Sequence, residues 1–207
     1  MSRGKRARKK TSYCCVEGDR ESSFVEFLVA LYKPGENNIA FYPENSAGGI
    51  PDRIVKKALD NAHRDMSFAW FDEDFEPRES LSVDLRKRLA QCWLVDDAEL
   101  EDFLSCPLKD MQGRFNPQKR KPILIVSNPV CCESIILQVL GRNAAVGKYQ
   151  HDKRADQIRT LKHQLNQVFN GQEEKDFYLA NLTKEGLEES RKKIELLDLL
   201  ISMVSKS

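Results

Sequence analysis

The chain has 207 residues, enough to bury one substantial core and cramped for two. Its 41% hydrophobic and 31% charged content is that of a globular protein, and no apolar run reaches the ~20 residues that span a bilayer. The formal charge of +1 hides an asymmetry: residues 1–10 carry Arg3, Lys5, Arg6, Arg8, Lys9 and Lys10 with no acid, leaving 27 basic against 32 acidic residues beyond them.

Residues 1–11 read as a disordered basic arm, suited to contact with nucleic acid and equally suited to keeping the chain soluble. The apolar stretch behind it is too short for the core of a signal peptide, so a cytoplasmic protein without membrane contact is expected. Tyr13-Cys14-Cys15-Val16, bounded by Glu17-Gly18, predicts a short buried strand. Phe24, Phe27, Leu28 and Leu31 recur at helical spacing between Ser22 and Tyr32, and Lys33-Pro34-Gly35 ends that helix. Ile39-Ala40-Phe41-Tyr42 predicts a second strand. After a Gly48-Gly49 loop a helix starts near Pro51, with Ile54, Val55, Ala58, Leu59 and Ala62 on its apolar face.

Phe68-Ala69-Trp70-Phe71 predicts a third strand, ending in Asp72-Glu73-Asp74. Residues 78–104 read as helix in pieces, broken near Cys92-Trp93 and at Pro107, and residues 109–122 as an exposed loop. Ile123-Leu124-Ile125-Val126 is a fourth strand, followed by a helix from Cys132 to Leu140. Strands in alternation with helices, each strand a continuous apolar run, predict an α/β fold: a parallel sheet of about four strands covered on both faces. Residues 12–146 would form that domain. Residues 147–207 read as a helical C-terminal extension packing on it, through residues 152–169 and 184–204. Leu187, Ile194, Leu197, Leu200, Ile201 and Val204 give the last helix an apolar stripe that suits core packing or a partner face.

The six cysteines do not form a disulfide framework or a zinc site. Cys14-Cys15 and Cys131-Cys132 are adjacent pairs that point to opposite faces of extended chain, and Cys92 and Cys106 stand alone. They read as small core residues in a reducing compartment.

The acids cluster where a parallel sheet binds ligands, beyond the carboxyl ends of its strands. Glu17 closes the first strand, and Glu21 enters the first helix. Asp72 and Asp74 close the third strand, their two-residue spacing pointing both carboxylates one way. If strands one and three are neighbours, in the order 2-1-3-4, these acids meet at one rim. Their mutual repulsion would call for a cation, and hard oxygen donors suit Mg²⁺ or Mn²⁺ rather than zinc. Any one of these acids alone means little, because acids commonly cap helices.

Val16-Glu17-Gly18-Asp19-Arg20-Glu21 followed by Phe24 resembles the first motif of Toprim domains in the RloB-like and OLD-type nuclease groups. Phe71-Asp72-Glu73-Asp74 resembles their Asp-x-Asp motif, and Ser127-Asn128-Pro129 with Glu133 is similar to the Ser-Asn-Pro-x-x-x-Glu stretch of RloB-like proteins. The resemblance spans residues 13–141. It implies a two-metal nuclease site on a Toprim-like sheet: Glu17, Asp72 and Asp74 would hold one ion, while Glu21 and Glu133 help hold a second. A later lysine would stabilise the transition state, Lys148 first and Lys153 second; both are also candidates for nucleic-acid contact. An ABC-type ATPase partner and a role in antiviral abortive infection are likewise implied. The chain departs from the pattern at Asn128, where OLD-type nucleases tend to place Asp, and at Arg20, where the motif usually has Thr.

The alternative is a non-catalytic Toprim-fold subunit that binds nucleic acid or regulates an ATPase complex. Primase or topoisomerase chemistry would need more chain. Gly147-Lys148 lacks the rest of a P-loop. His151 suits a solvated helix start or a phosphate contact, His63 and His163 fall on amphipathic helices, and Trp70 and Phe71 read as core. The C-terminal stripe, with Leu197 in it, is the expected contact for a homo-oligomer or the ATPase.

Deleting residues 1–10 should weaken nucleic-acid binding mainly at low salt. Removing six cations should flatten the slope of log affinity against log salt by roughly 5 at most on duplex DNA. Affinity measured across a salt series for both forms checks this, and equal slopes would leave the arm a solubilising tail.

Overall fold

The computed structural model describes residues 10–33, 39–45, 51–64, 66–72, 81–106, 123–127, 131–142 and 153–206. Four strands, β1 (Lys10–Val16), β2 (Ile39–Asn45), β3 (Met66–Asp72) and β4 (Ile123–Ser127), form a parallel sheet in the order β2-β1-β3-β4. Val16 pairs with Trp70 across β1 and β3, and Asp72 pairs with Ser127 across β3 and β4. The carboxyl ends of β1 and β3 therefore lie side by side.

The apolar strands are continuous because both faces of the sheet are buried. Cys14, Val16, Phe68 and Trp70 enter one core cluster, while Tyr13, Cys15, Ala69, Phe71 and Leu124 enter the other. The second cluster is closed by α2 (Pro51–Asp60), α3 (Val83–Trp93) and α4 (Leu100–Ser105), through Ile54, Leu89 and Phe103 among others. Trp93, for which the sequence suggests no role, is buried there edge-on to Phe103, with ring centroids 5.5 Å apart.

The first cluster is larger. It joins α1 (Asp19–Tyr32) and α5 (Cys132–Val139) to α6 (Arg154–Phe169), α7 (Glu174–Asn181), α8 (Lys184–Ser190) and α9 (Glu195–Lys206). Phe24 meets Tyr178 edge-on at 5.4 Å and Trp70 at 6.5 Å, so rings from α1, α7 and β3 interlock. The C-terminal helices complete the core on one face of the sheet.

Four expectations change. The basic arm ends earlier than residue 11, since Lys10 and Thr11 pair with Ile39 and Ala40 in β1, so a deletion testing the arm should stop at residue 9. The first helix begins at Asp19 rather than Ser22, with Asp19 and Glu21 in the first turn, where the helix dipole favours acids. The helix expected through residues 184–204 is two helices, α8 and α9. Arg191 follows α8 and ties the pair together, donating to Glu188, to Asp198 at 2.7 Å and to Ser202 at 2.9 Å. Helix α7 was not anticipated, because eight residues with only Phe177 and Tyr178 buried carry almost no periodic signal.

The apolar stripe on α9, expected to serve a partner, is covered by the chain itself. Leu197, Leu200 and Ile201 are fully buried, in the cluster that also holds Phe24 and Tyr178. No partner can dock on those side chains without opening the core. Leu197→Glu should therefore destabilise the fold by about 3–5 kcal/mol, the cost typical of an unpaired buried charge. Urea denaturation checks it. A wild-type midpoint with a changed mass by light scattering would put Leu197 at an interface instead.

Candidate functional site

In a parallel sheet the carboxyl ends of the strands and the amino ends of the following helices gather at one rim. Four of the acids singled out in the sequence lie there. Glu17 follows β1 and Asp72 ends β3, while Glu21 and Glu133 sit in the first turns of α1 and α5. Glu21, Asp72 and Glu133 are buried, at 4%, 6% and 3% exposure, and Glu17 is half-buried.

Backbone amides hold the carboxylates of Glu17, Asp72 and Glu21. The Asp72 amide donates to Glu17 Oε2 at 3.2 Å, and the Cys132 amide at the start of α5 donates to Asp72 Oδ1 at 2.9 Å. The Gly18 amide donates to Glu21 Oε2 at 3.1 Å. A Cβ on residue 18 would lie 3.1 Å from that same oxygen, so glycine there lets Glu21 fold back against the turn.

One oxygen each from Glu21 and Asp72 lies with Cys132 Sγ in a group whose atoms are all within 4.8 Å of one another, and Asp72, Cys131 and Glu133 form a second such group. Burial, then the Glu133 charge, pushes the Glu21 carboxyl above the usual range against hydrogen bonds that lower it. Burial also acts upward on Glu133. There the hydrogen bonds from Cys131 and its own amide, with the charges of Arg20 and Lys162, win and hold it below the usual range. Burial and the surrounding carboxylates push both thiols well up, so Cys131 and Cys132 keep their protons.

Among the described residues two cations act on this rim, and sequence reasoning assigned neither to it. Arg20, on the first turn of α1, donates from Nη1 to Glu133 Oε1 at 2.7 Å, from Nε to Glu174 Oε1 at 2.9 Å and from Nη2 to Asn166 Oδ1 at 2.8 Å. Lys162 on α6 has its pKa raised, because the charges of Glu133 and Asp72 outweigh the opposing effect of burial. Arg20 was visible only as a departure from a motif. Lys162 gave no signal, as one of several charged residues on a largely polar helix.

Asp74, Lys148 and the arm residues Arg3, Lys5, Arg6, Arg8 and Lys9 lie outside the described residues, as do Asn128 and His151. Lys153 is exposed and precedes α6. His63 sits in a turn against the Asp60 carbonyl, and His163 is exposed beside Gln167. Trp70 and Phe71 are core, as expected.

The donor set fits a hard divalent ion at Glu21 and Asp72, with Glu17 beside them. Carboxylate oxygens within 4.8 Å of each other need to close only slightly to meet the about 4.2 Å across a Mg²⁺ octahedron. The thiols offer little to such an ion. Glu133 is placed differently: its Oε1 accepts from Arg20, and its Oε2 accepts from the Cys132 thiol at 3.5 Å. A divalent ion about 4 Å from a guanidinium would be repelled by about 8 kcal/mol at an effective dielectric of 20.

The chain matches no protein-family model, no curated protein and no solved structure.

Arg20→Ala would strand Glu133, whose side chain is 4% exposed, without its cation. The expected cost is about 3 kcal/mol, at the low end for broken buried pairs because the Arg20 side chain keeps 20% of its surface in water. Arg20→Lys should recover only part of it, since a single ammonium cannot serve three acceptors held in the plane of a fork. Denaturant midpoints of the two variants check both statements.

Proposed function

We propose that this chain is a Mg²⁺- or Mn²⁺-dependent nuclease that hydrolyses phosphodiester bonds in DNA or RNA. The observation that carries the proposal is the convergence of Glu17, Glu21, Asp72 and Glu133, from three separate segments, on the carboxyl rim of a parallel sheet. Helix capping accounts for the bonds from Gly18 to Glu21 and from Cys132 to Asp72, but it does not require Glu21, Asp72 and Glu133 all to be buried, with Asp72 within reach of both glutamates. Their motifs resemble those of RloB-like Toprim nucleases, and the strand order supports a Toprim-like reading of the sheet. An ATPase partner and an effector role in antiviral abortive infection follow from that resemblance as parts of the same proposal, and the reduced thiols add a cytoplasmic setting. The core burial of α9 directs any partner to another surface.

On this reading Asp72 and Glu21 bind the ion, and Glu17 supports Asp72 by accepting its amide proton. The α5 amino end fixes the Asp72 carboxylate through the Cys132 amide. When bound, the ion supplies a Lewis acid for a phosphodiester oxygen and lowers the pKa of water. Lys162, whose pKa the same carboxylates raise, would hold the negative charge of the scissile phosphate, the role expected of Lys148 or Lys153.

The competing reading, a non-catalytic Toprim-fold subunit, draws on the ion pair already made by Glu133. A nuclease assay on duplex DNA, total RNA and tRNA, with and without Mn²⁺, separates the two. Asp72→Ala, Asp74→Ala and Glu17→Ala should each cut activity by more than about a hundredfold, beyond the loss typical of outer partners. All three variants should stay folded. Asp72→Ala should lose about 1 kcal/mol with its contact to the α5 amino end, and Asp72→Asn should keep that contact while losing activity. Variants that cut at the wild-type rate would remove these residues from the site.

A further inference from the structure

We propose, on the metal-dependent reading above, that this centre takes one divalent ion, with the Arg20 guanidinium as the fixed second cation at Glu133. The geometry separates the rim into two halves around Asp72. On one side stand Glu21 and Asp72, whose oxygens approach closely enough to share an ion. On the other stands Glu133, where a second ion would bind, and there the nearest cation belongs to the chain. Arg20 Nη1 lies 2.7 Å from Glu133 Oε1.

The guanidinium is not a loose surface group that an ion could push aside. All three of its nitrogens are engaged, by Glu133 on α5, Glu174 on α7 and Asn166 on α6. Its carbon also lies 6.0 Å from the centre of the Phe169 ring, over which it packs. Swinging it away would break bonds to three helices and leave Glu174 without its ion pair. A planar fork bonded at all three nitrogens is a more permanent cation than an ion in exchange with solvent.

The division also accounts for a group that the nuclease reading leaves idle. Glu174 is no candidate ligand, yet its Oε1 lies 2.9 Å from Arg20 Nε, and this positions the guanidinium against Glu133. Helices α6 and α7 thereby help to set the metal content of a rim built by β1, β3, α1 and α5. Arg20 is a positioning and charge-supplying residue here.

The test is metal stoichiometry on the full chain at saturating Mn²⁺, by equilibrium dialysis with elemental analysis, and by electron paramagnetic resonance. Wild type should hold one Mn²⁺ and show the hyperfine pattern of an isolated ion. Arg20→Gln, which frees Glu133, should hold two and show a spin-coupled pair, whereas Arg20→Lys should still hold one. A spin-coupled pair in wild type would overturn the inference while leaving the metal-dependent reading in place. An Arg20→Gln protein that still binds one would overturn it as well, because the guanidinium would then not be what excludes the second ion. A wild-type chain that binds none would remove both the inference and the reading beneath it. Should Arg20→Gln fail to fold by circular dichroism, the wild-type stoichiometry and spectrum decide alone.

Discussion

The Arg20 guanidinium reaches Glu133 at 2.7 Å, Glu174 at 2.9 Å and Asn166 at 2.8 Å, and most of what distinguishes this rim depends on that arrangement. A carboxylate as buried as Glu133 is costly to keep ionised unless a cation and hydrogen bonds compensate it. Arginine suits the task because its planar fork presents donors in several directions at once and its charge is permanent. The same fork connects α1 to α5, α6 and α7, so the electrostatics of the rim and the docking of the C-terminal helices are one interaction. Phe169, beneath the guanidinium, extends that connection into the aromatic cluster of Phe24, Phe177 and Tyr178.

A parallel sheet buried on both faces makes such a rim possible. Strand ends and helix amino ends alternate along it, so every carboxylate that closes a strand has backbone amides of a following segment nearby. Asp72 takes the first amide of α5, and Glu21 takes the amide of Gly18 ahead of α1. These bonds favour the ionised form and fix the orientation of the oxygens, while burial opposes ionisation. The balance differs from site to site. Burial wins at Glu21, and hydrogen bonds and cations win at Glu133, so two glutamates in equivalent first turns carry different electrostatic characters.

The C-terminal helices change meaning once their packing is known. As a sequence, the stripe from Leu187 to Val204 is equally good as core and as a partner face. As a structure, α9 lies against α1 and β4, and Leu196, Leu197 and Leu200 are sealed from water. The sheet is narrow and its α1 face broad, so α1 and α5 leave apolar area that only further helices can cover. Residues 154–206 cover it, and in doing so bring Glu174, Asn166 and Lys162 to the rim.

Glu133 entered only through its motif resemblance, and the meeting of Glu17 with Asp72 rested on an assumed strand order. The alternation of strands and helices, the burial of both sheet faces and the placing of Glu17, Glu21 and Asp72 at strand ends or a helix start could be read before the fold was known. Each follows from local chemistry: continuous apolar runs, helical spacing, and acids placed where strands end and helices begin. The break between α8 and α9, the existence of α7, the partners of Arg20 and the proximity of Lys162 were decided only by tertiary structure. Arg20 and Glu174 are 154 residues apart, and nothing in either neighbourhood points to the other. Periodicity tells which side of a helix is apolar but not which surface will cover it, because that depends on how much area the rest of the chain leaves open. The charge of a residue is likewise local, whereas its counterion is whatever the packed helices bring within reach.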